Sequence, residues 1–165
     1  MKTIKKNTAL GIDHWSPGEL QEVDEEGLKA LAHILNAIET QVSWPSHLLY
    51  NIIVLMGKPT GGTRPIALMP MIYRVWTKAR RVHIVAWEQS HGGPWDAALR
   101  GSSALRAALM SMLNDEVAHM QQHSNITVLY DMEKFYDNID ITQLILLGIQ
   151  YGYSRRIMSL GLQMH

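Results

Sequence analysis

The length of the chain, 165 residues, suits one domain with a single core, and its 47% apolar and 18% charged residues exclude an intrinsically disordered protein. The net charge is zero, but the middle of the chain is basic, because residues 57–82 contain six cations and no acid. The chain has no cysteine, which excludes disulfides and thiolate metal sites.

The N-terminal residues include lysines but no apolar segment of the kind found in a secretory signal. No apolar run approaches the roughly 20 residues that span a bilayer. We therefore expect an intracellular protein, cytoplasmic or nuclear, that is not secreted and has no membrane partner.

A helix is predicted to begin after Ser16, because Ser16 and Glu19 form a capping-box pattern with Pro17 between them. Apolar residues then recur every three to five positions as far as Val42, which predicts one continuous helix. Trp44-Pro45 is expected to end it.

Residues 50–70 predict a β-hairpin. "NIIVLMGKPTGGTRPIALMP" has two apolar runs separated by a glycine-rich turn from Gly57 to Thr63. Lys58 and Arg64 stand at opposite ends of this turn, so closure of the hairpin brings two cations close together. Their repulsion favours an anion between them.

Two helices are predicted next. "MIYRVWTKARRVHIVAWE", residues 71–88, has apolar positions at helical spacing and cations on another face. After a loop rich in glycine and proline, Ser102 or Ser103 is expected to cap a second helix.

"NITVLYD", residues 125–131, predicts a central strand covered on both faces. Apolar residues occupy both the odd and the even positions of its apolar run, with Thr127 as the exception. One or two helices, broken near Gly152, are predicted after it. This order of elements favours an α+β fold over a regular βαβ alternation.

Asp131 ends the predicted strand and is the main candidate metal ligand. A buried carboxylate needs a partner, and Mg²⁺ (or Mn²⁺) is held by one or two carboxylates together with substrate phosphate oxygens. A second interpretation stays open from the residue alone, namely that Asp131 caps a helix that starts at Met132 or Glu133.

Four segments between residues 9 and 140 resemble, in the same order, motifs of reverse transcriptases from non-LTR (LINE-type) retrotransposons and group II introns. "ALGIDHWSPGELQEV" is similar to the segment that opens these domains, "IIVLMGKPTGGTRPIALMPMIYRVWTKARR" to their fingers motif, and "VLYDMEKFYDNID" to their first catalytic motif. "WDAALRGSSALRAAL" resembles a fourth motif more weakly, because Ala98-Leu99 replaces its Gly-Phe.

The resemblance implies a nucleotidyltransferase, the RNA-directed DNA polymerase of a retroelement, which works by a two-metal mechanism. Asp131 would be the catalytic metal ligand. Lys58 and Arg64 would meet the triphosphate of an incoming deoxynucleoside triphosphate. Tyr136 would lie under its sugar and leave no room for a ribose 2′-hydroxyl.

The resemblance also implies where the nucleic acid lies and how the chain is organised. Lys78, Arg81 and Arg100 would contact the phosphates of the RNA template and DNA primer. Residues 1–165 would form a single partial domain of a right-hand polymerase, with fingers over about 1–90 and the front part of the palm, with an incomplete palm sheet, over about 91–165.

The sequence also departs from the family in its catalytic carboxylates. The family supplies further metal-binding aspartates from a Tyr/Phe-x-Asp-Asp motif, and no Asp-Asp pair occurs in the 165 residues. We therefore expect a fragment that does not polymerise DNA alone and has the remainder of the polymerase chain as a partner. The alternatives are a catalytically dead remnant that only binds nucleic acid or a partner, and an unrelated α+β binding domain.

Overall fold

The structure is a computed structural model that describes residues 8–93, 95–97, 99, 101–128, 130 and 135–165, with the backbone alone at 136 and 137. Two compact units make up the chain: a first unit of Met1–Val82 with Gly148–His165, and a second unit of His83–Leu147. The C-terminal segment thus packs with the N-terminal one in the same unit.

The elements of the described residues are mainly helical, with one small antiparallel sheet. In chain order they are α1 (Pro17–Glu22), α2 (Glu25–Gln41), a 3₁₀-helix (Ser46–Leu48), β1 (Ile52–Gly57), β2 (Thr63–Leu68), α3 (Met71–His91), α4 (Ala104–Met120), a 3₁₀-helix (Phe135–Asn138), α5 (Ile141–Gln150) and α6 (Arg155–Leu162). No helix among them combines the length and apolar character that crossing a membrane requires.

The helix predicted after Ser16 begins as expected but is interrupted. The capping box is confirmed: Ser16 Oγ accepts from the Glu19 backbone N–H at 3.2 Å, and Glu19 accepts from the Ser16 N–H at 2.8 Å. The prediction of one continuous helix is wrong, because Asp24 caps a new helix by accepting from the Gly27 N–H at 2.8 Å. This bond holds Asp24 in an extended conformation that a continuous helix does not allow.

The core of the first unit joins helices from both ends of the sequence. Eight buried residues form it: Leu35, Ile38, Trp44, Leu48, Tyr73, Trp76, Leu160 and Met164. Their three aromatic rings lie 5.5 to 5.8 Å apart, with Trp44 edge-on to both of the others. The indole N–H of Trp44 donates to the Leu160 carbonyl at 2.9 Å, which fixes α6 to this core.

Polar contacts reinforce this attachment of α6. The Gln163 amide donates to the Val42 carbonyl at 2.8 Å and accepts from the Trp44 backbone N–H at 3.1 Å. Val42 has the left-handed conformation (φ 50°) that ends α2.

The predicted break between the last two helices is confirmed, since Gly152 lies between α5 and α6 with φ 66°.

In the second unit, the long helix α4 buries none of its side chains. Ser103 caps α4 by accepting from the Arg106 backbone N–H, which confirms one of the two predicted caps. Leu105 and Met112 are 79% and 65% exposed, so the apolar stripe of this helix lies open to solvent.

The predicted central strand is wrong for the part of residues 125–131 that the structure describes. Residues 125–128 and 130 belong to no strand, and Ile126 and Tyr130 are 84% and 90% exposed. A strand needs a neighbour for its backbone groups, and the sheet of the described residues contains only β1 and β2. Asn125 and Thr127 instead donate their side-chain hydrogen bonds to Asp115 of α4.

Candidate functional site

The predicted hairpin is confirmed. β1 and β2 pair antiparallel from Ile52 opposite Leu68 to Gly57 opposite Thr63. In the turn, the Lys58 N–H donates to the Gly62 carbonyl and the Gly61 N–H donates to the Lys58 carbonyl, both at 3.0 Å. Gly61 and Gly62 have φ angles of 90° and 81°, which glycine adopts without steric cost.

The two predicted triphosphate contacts lie at the turn end of this hairpin. Arg64 is in β2 opposite Met56, and Lys58 follows Gly57, the last residue of β1, with its backbone bonded to Gly62. Both residues thus flank the glycine-rich turn.

Both cations are available to solvent. Lys58 and Arg64 are exposed, as are all residues of β1. The ion pairs found between described residues involve neither of them. Both side chains are therefore open to contact with ions in solution.

Two cations of α3 have defined partners in the fold. Arg74 donates to the Ala9 carbonyl at 2.7 Å, and Arg80 forms a bidentate pair with Glu39 of α2. These two side chains are engaged in the fold, which makes the basic face smaller than the sequence indicates. Lys78 and Arg81 are exposed and stand three positions apart, which places them side by side on the helix surface.

Glu39 is the counter-charge that holds Arg80. Its carboxylate accepts from Trp76 Nε1 at 2.6 Å and from Arg80 Nη2 at 2.6 Å. Burial raises the pKa of Glu39, but hydrogen bonds from Arg80 and Trp76 and the charges of Arg80 and Arg156 outweigh burial, so its pKa lies below the ordinary value. The pair is a structural link between α2 and α3.

The side chains of three predicted site residues, Asp131, Arg100 and Tyr136, lie outside the part of the chain that the structure describes. Asp131 and Arg100 lie outside the described residues. Tyr136 is described by its backbone alone, which lies in the 3₁₀-helix Phe135–Asn138. Their roles as metal ligand, phosphate contact and sugar gate stay predictions. Among the residues that are described, no group of three or more carboxylates and histidines is arranged to hold a metal.

The sequence interpretation missed the role of Asp13. Its Oδ2 accepts from the Ile72 backbone N–H at 3.0 Å, which caps the start of α3. Gly11 fits closely against the chain just before that helix, since a Cβ on it would lie 2.4 Å from the Met69 carbonyl oxygen. The Gly-x-Asp pattern was the available signal: a glycine for close approach and an acid for a helix N-terminus.

Comparison of the chain with protein-family models, with curated proteins and with solved structures gave no match. A functional assignment therefore depends on the motifs and on the geometry of the hairpin.

Proposed function

We propose that this chain forms the fingers and the front part of the palm of an RNA-directed DNA polymerase from a retroelement, and that its hairpin binds the incoming deoxynucleoside triphosphate. The observation that supports this most is that Lys58 and Arg64 are both exposed and flank the turn of the hairpin. The colinear motifs of the sequence provide the second support.

The two cations complement a polyphosphate in different ways. The lysine ammonium is a compact charge with three rotatable donors, whereas the arginine guanidinium is a planar fork that binds two phosphate oxygens at once. A triphosphate between them neutralises both charges and removes their mutual repulsion. The two left-handed glycines of the turn give the hairpin the freedom to close over a bound nucleotide.

The remaining roles in the proposal belong to the palm and to α3. Asp131 provides the hard oxygen donors that Mg²⁺ (or Mn²⁺) prefers, and the bound ion would neutralise charge on the reacting phosphates. Tyr136 excludes a ribose 2′-hydroxyl. Lys78, Arg81 and Arg100 contact the template and primer backbones, which makes nucleic-acid binding dependent on salt.

Titration of the 165-residue chain with a deoxynucleoside triphosphate and Mg²⁺ in a calorimeter tests the hairpin. We expect Lys58→Ala and Arg64→Ala each to weaken binding by about tenfold, the size of a charge-assisted contact. Arg155→Ala is the matched control, because Arg155 is an exposed cation of the same unit, on α6. If all three variants lose the same affinity for the nucleotide, or none loses any, the hairpin does not bind the nucleotide.

The catalytic assignment needs the polymerase with its remaining segments. In that protein Asp131→Asn is expected to abolish primer extension, while Lys58→Ala raises the KM for the nucleotide. Tyr136→Ala is expected to increase incorporation of ribonucleotides. Unchanged synthesis by Asp131→Asn contradicts the assignment. Nucleic-acid binding without synthesis by the unaltered protein favours the alternative of a catalytically dead remnant.

A further inference from the structure

The hairpin of β1 and β2 is exposed along its length and is held at its base. All residues of β1 and most of β2 are exposed, so the core covers neither strand. The paired region begins at Ile52 opposite Leu68, and Lys58 and Arg64 lie toward its other end. At a rise of about 3.3 Å per residue, the turn lies roughly 20 Å from the base. A small rotation at the base therefore becomes a larger displacement of both cations.

The β2 side of the base is fixed by the segment that opens the described chain. Residues 9–13 are hydrogen-bonded to the first turn of α3 at both of their ends. Between these bonds Gly11 is buried, and a Cβ on it would lie 2.4 Å from the Met69 carbonyl oxygen and 2.7 Å from the Pro70 Cα. β2 therefore enters α3 through a closely packed joint.

On the β1 side the corresponding contact comes from Asn51, the residue just before the first paired position. Asn51 Nδ2 donates to the Met164 carbonyl at 2.8 Å. Met164 is buried in the core cluster, so this acceptor has a fixed place. Asn51 Oδ1 is buried as well, whereas Leu49 and Tyr50 just before it are exposed. The direction in which β1 leaves the core thus depends on the amide of Asn51.

We propose that Asn51 is a positioning residue of the hairpin: its hydrogen bond to Met164 sets the direction of β1 and thereby the place of Lys58 and Arg64. This role rests on the proposed function, in which the two cations meet a triphosphate. A displacement of about 1 Å is enough to weaken such contacts strongly. Met164 follows Asp131 in the chain, so the bond also ties the hairpin to the segment beyond the proposed metal ligand.

Spin labels measure the direction of the hairpin, and the natural chain has no cysteine that would compete for them. Labels on Thr60→Cys in the turn and on Ala32→Cys, an exposed position of α2, are compared by pulsed electron paramagnetic resonance. Asn51→Leu keeps the approximate size of the side chain and removes the donor. We expect it to broaden the distribution of distances between the labels by about twofold, while the cross-strand NOEs of the hairpin persist.

Nucleotide binding by the unlabelled chain is the second readout. Asn51→Leu is expected to weaken the binding of a deoxynucleoside triphosphate with Mg²⁺ by about fivefold or more in a calorimeter. Ile38→Val is the matched control, because it removes a methyl group from the same core without touching the hairpin. It should lower the stability and leave both the distances and the affinity unchanged. If Asn51→Leu does not fold, Asn51→Ser, which is shorter and leaves room for water, takes its place with the same expectations.

The two readouts separate the positioning role from the nucleotide function. An unchanged distance distribution in the Asn51 variant overturns the positioning role. A broadened distribution with unaltered nucleotide affinity overturns it as well, because the direction of the hairpin would then be unimportant for binding. If the wild-type chain binds no nucleotide, the function proposed for the hairpin fails, and the distance distributions decide separately whether Asn51 orients it.

Discussion

At the scale of single residues, the Glu39–Arg80 pair shows how one carboxylate organises two helices. Glu39 and Arg80 side chains are 13% and 28% exposed, so water screens them only in part. The carboxylate also accepts from the Trp76 indole, which leaves few of its acceptor sites without a donor. Removing its charge therefore affects Arg80 and the aromatic core together.

Glu39→Gln is expected to destabilise the chain by about 2 kcal/mol at pH 7, because it replaces charge-assisted hydrogen bonds with neutral ones. Urea unfolding followed by tryptophan fluorescence measures this difference. Lys29→Gln is a control, because the exposed pairs of Lys29 with Glu25 and Glu26 contribute little. A loss as small as that of the control contradicts the importance of the Glu39 pair.

The pH dependence of this pair follows from the lowered pKa of Glu39 in the folded state. Such a group stabilises the fold fully above its unfolded value, ordinarily 4.5, and loses that contribution as the pH falls through the lower folded value. The difference in melting temperature between wild type and Glu39→Gln should therefore be constant above about pH 6 and shrink in acid. A difference that grows as the pH falls has the wrong sign for this account.

Trp44 gives a second prediction at this scale. It is 3% exposed and donates to the Leu160 carbonyl, so Trp44→Phe removes buried volume and leaves that carbonyl without its donor. We expect a loss of about 3 kcal/mol in unfolding free energy. Trp95→Phe is the same exchange at a side chain that is 79% exposed and should change stability by less than about 0.5 kcal/mol.

At the scale of elements, the hairpin depends on the backbone of its turn. Gly62→Ala places a side chain at φ 81°, which costs about 1 kcal/mol or more. We expect weaker pairing between Met56 and Arg64, seen as weaker cross-strand NOEs, and weaker nucleotide binding. Gly57→Ala is the control, because Gly57 has no unusual φ and a Cβ there meets nothing within 4 Å. Equal effects of both substitutions would show that the turn conformation is unimportant.

The elements that sequence reasoning predicted correctly depend on residues close together in the chain. The capping box needs Ser16 and Glu19, the hairpin needs a turn between two apolar runs, and the last break needs Gly152. Asp24 was missed because an acid inside an amphipathic pattern has the same appearance whether it caps a helix or faces solvent.

Features that depend on distant residues were harder to predict. Asp13 caps α3 across 59 positions of sequence, and nothing local identifies Ile72 as its partner. The strand predicted at 125–131 depends on a neighbouring strand, which an apolar pattern cannot guarantee. For the candidate site, the sequence predicted that Lys58 and Arg64 flank the turn of a hairpin, and the pairing of β1 with β2 confirms that hairpin.

At the scale of the whole molecule, the buried apolar residues among those that the structure describes are confined to the first unit. The ten buried large apolar residues of the described chain all lie in Met1–Val82 or Gly148–His165. Local stability in a protein follows burial, because elements with few buried contacts unfold locally at a low cost in free energy. The two units should therefore differ in local stability.

Hydrogen exchange measured by mass spectrometry checks this difference. Amides of α2 and α6 should exchange at least tenfold more slowly than those of α4, where the described side chains are not buried. Comparable protection in α4 and α2 contradicts this expectation. Peptides that cover α3 provide an internal reference, because its first turns carry Tyr73 and Trp76 of the core.

The hydrogen bond from Trp44 to Leu160 spans 116 positions, and this separation constrains the order of events while the protein is being made. Trp44 and Trp76 leave the ribosome well before α6 does, so their rings are not covered by α6 in that interval. Closing such a long loop is also slow compared with forming any one helix. The nascent chain is thus open to chaperones and to aggregation until α6 emerges, and ribosome-bound chains stalled before Leu160 should be cleaved by protease faster than chains from which α6 has emerged.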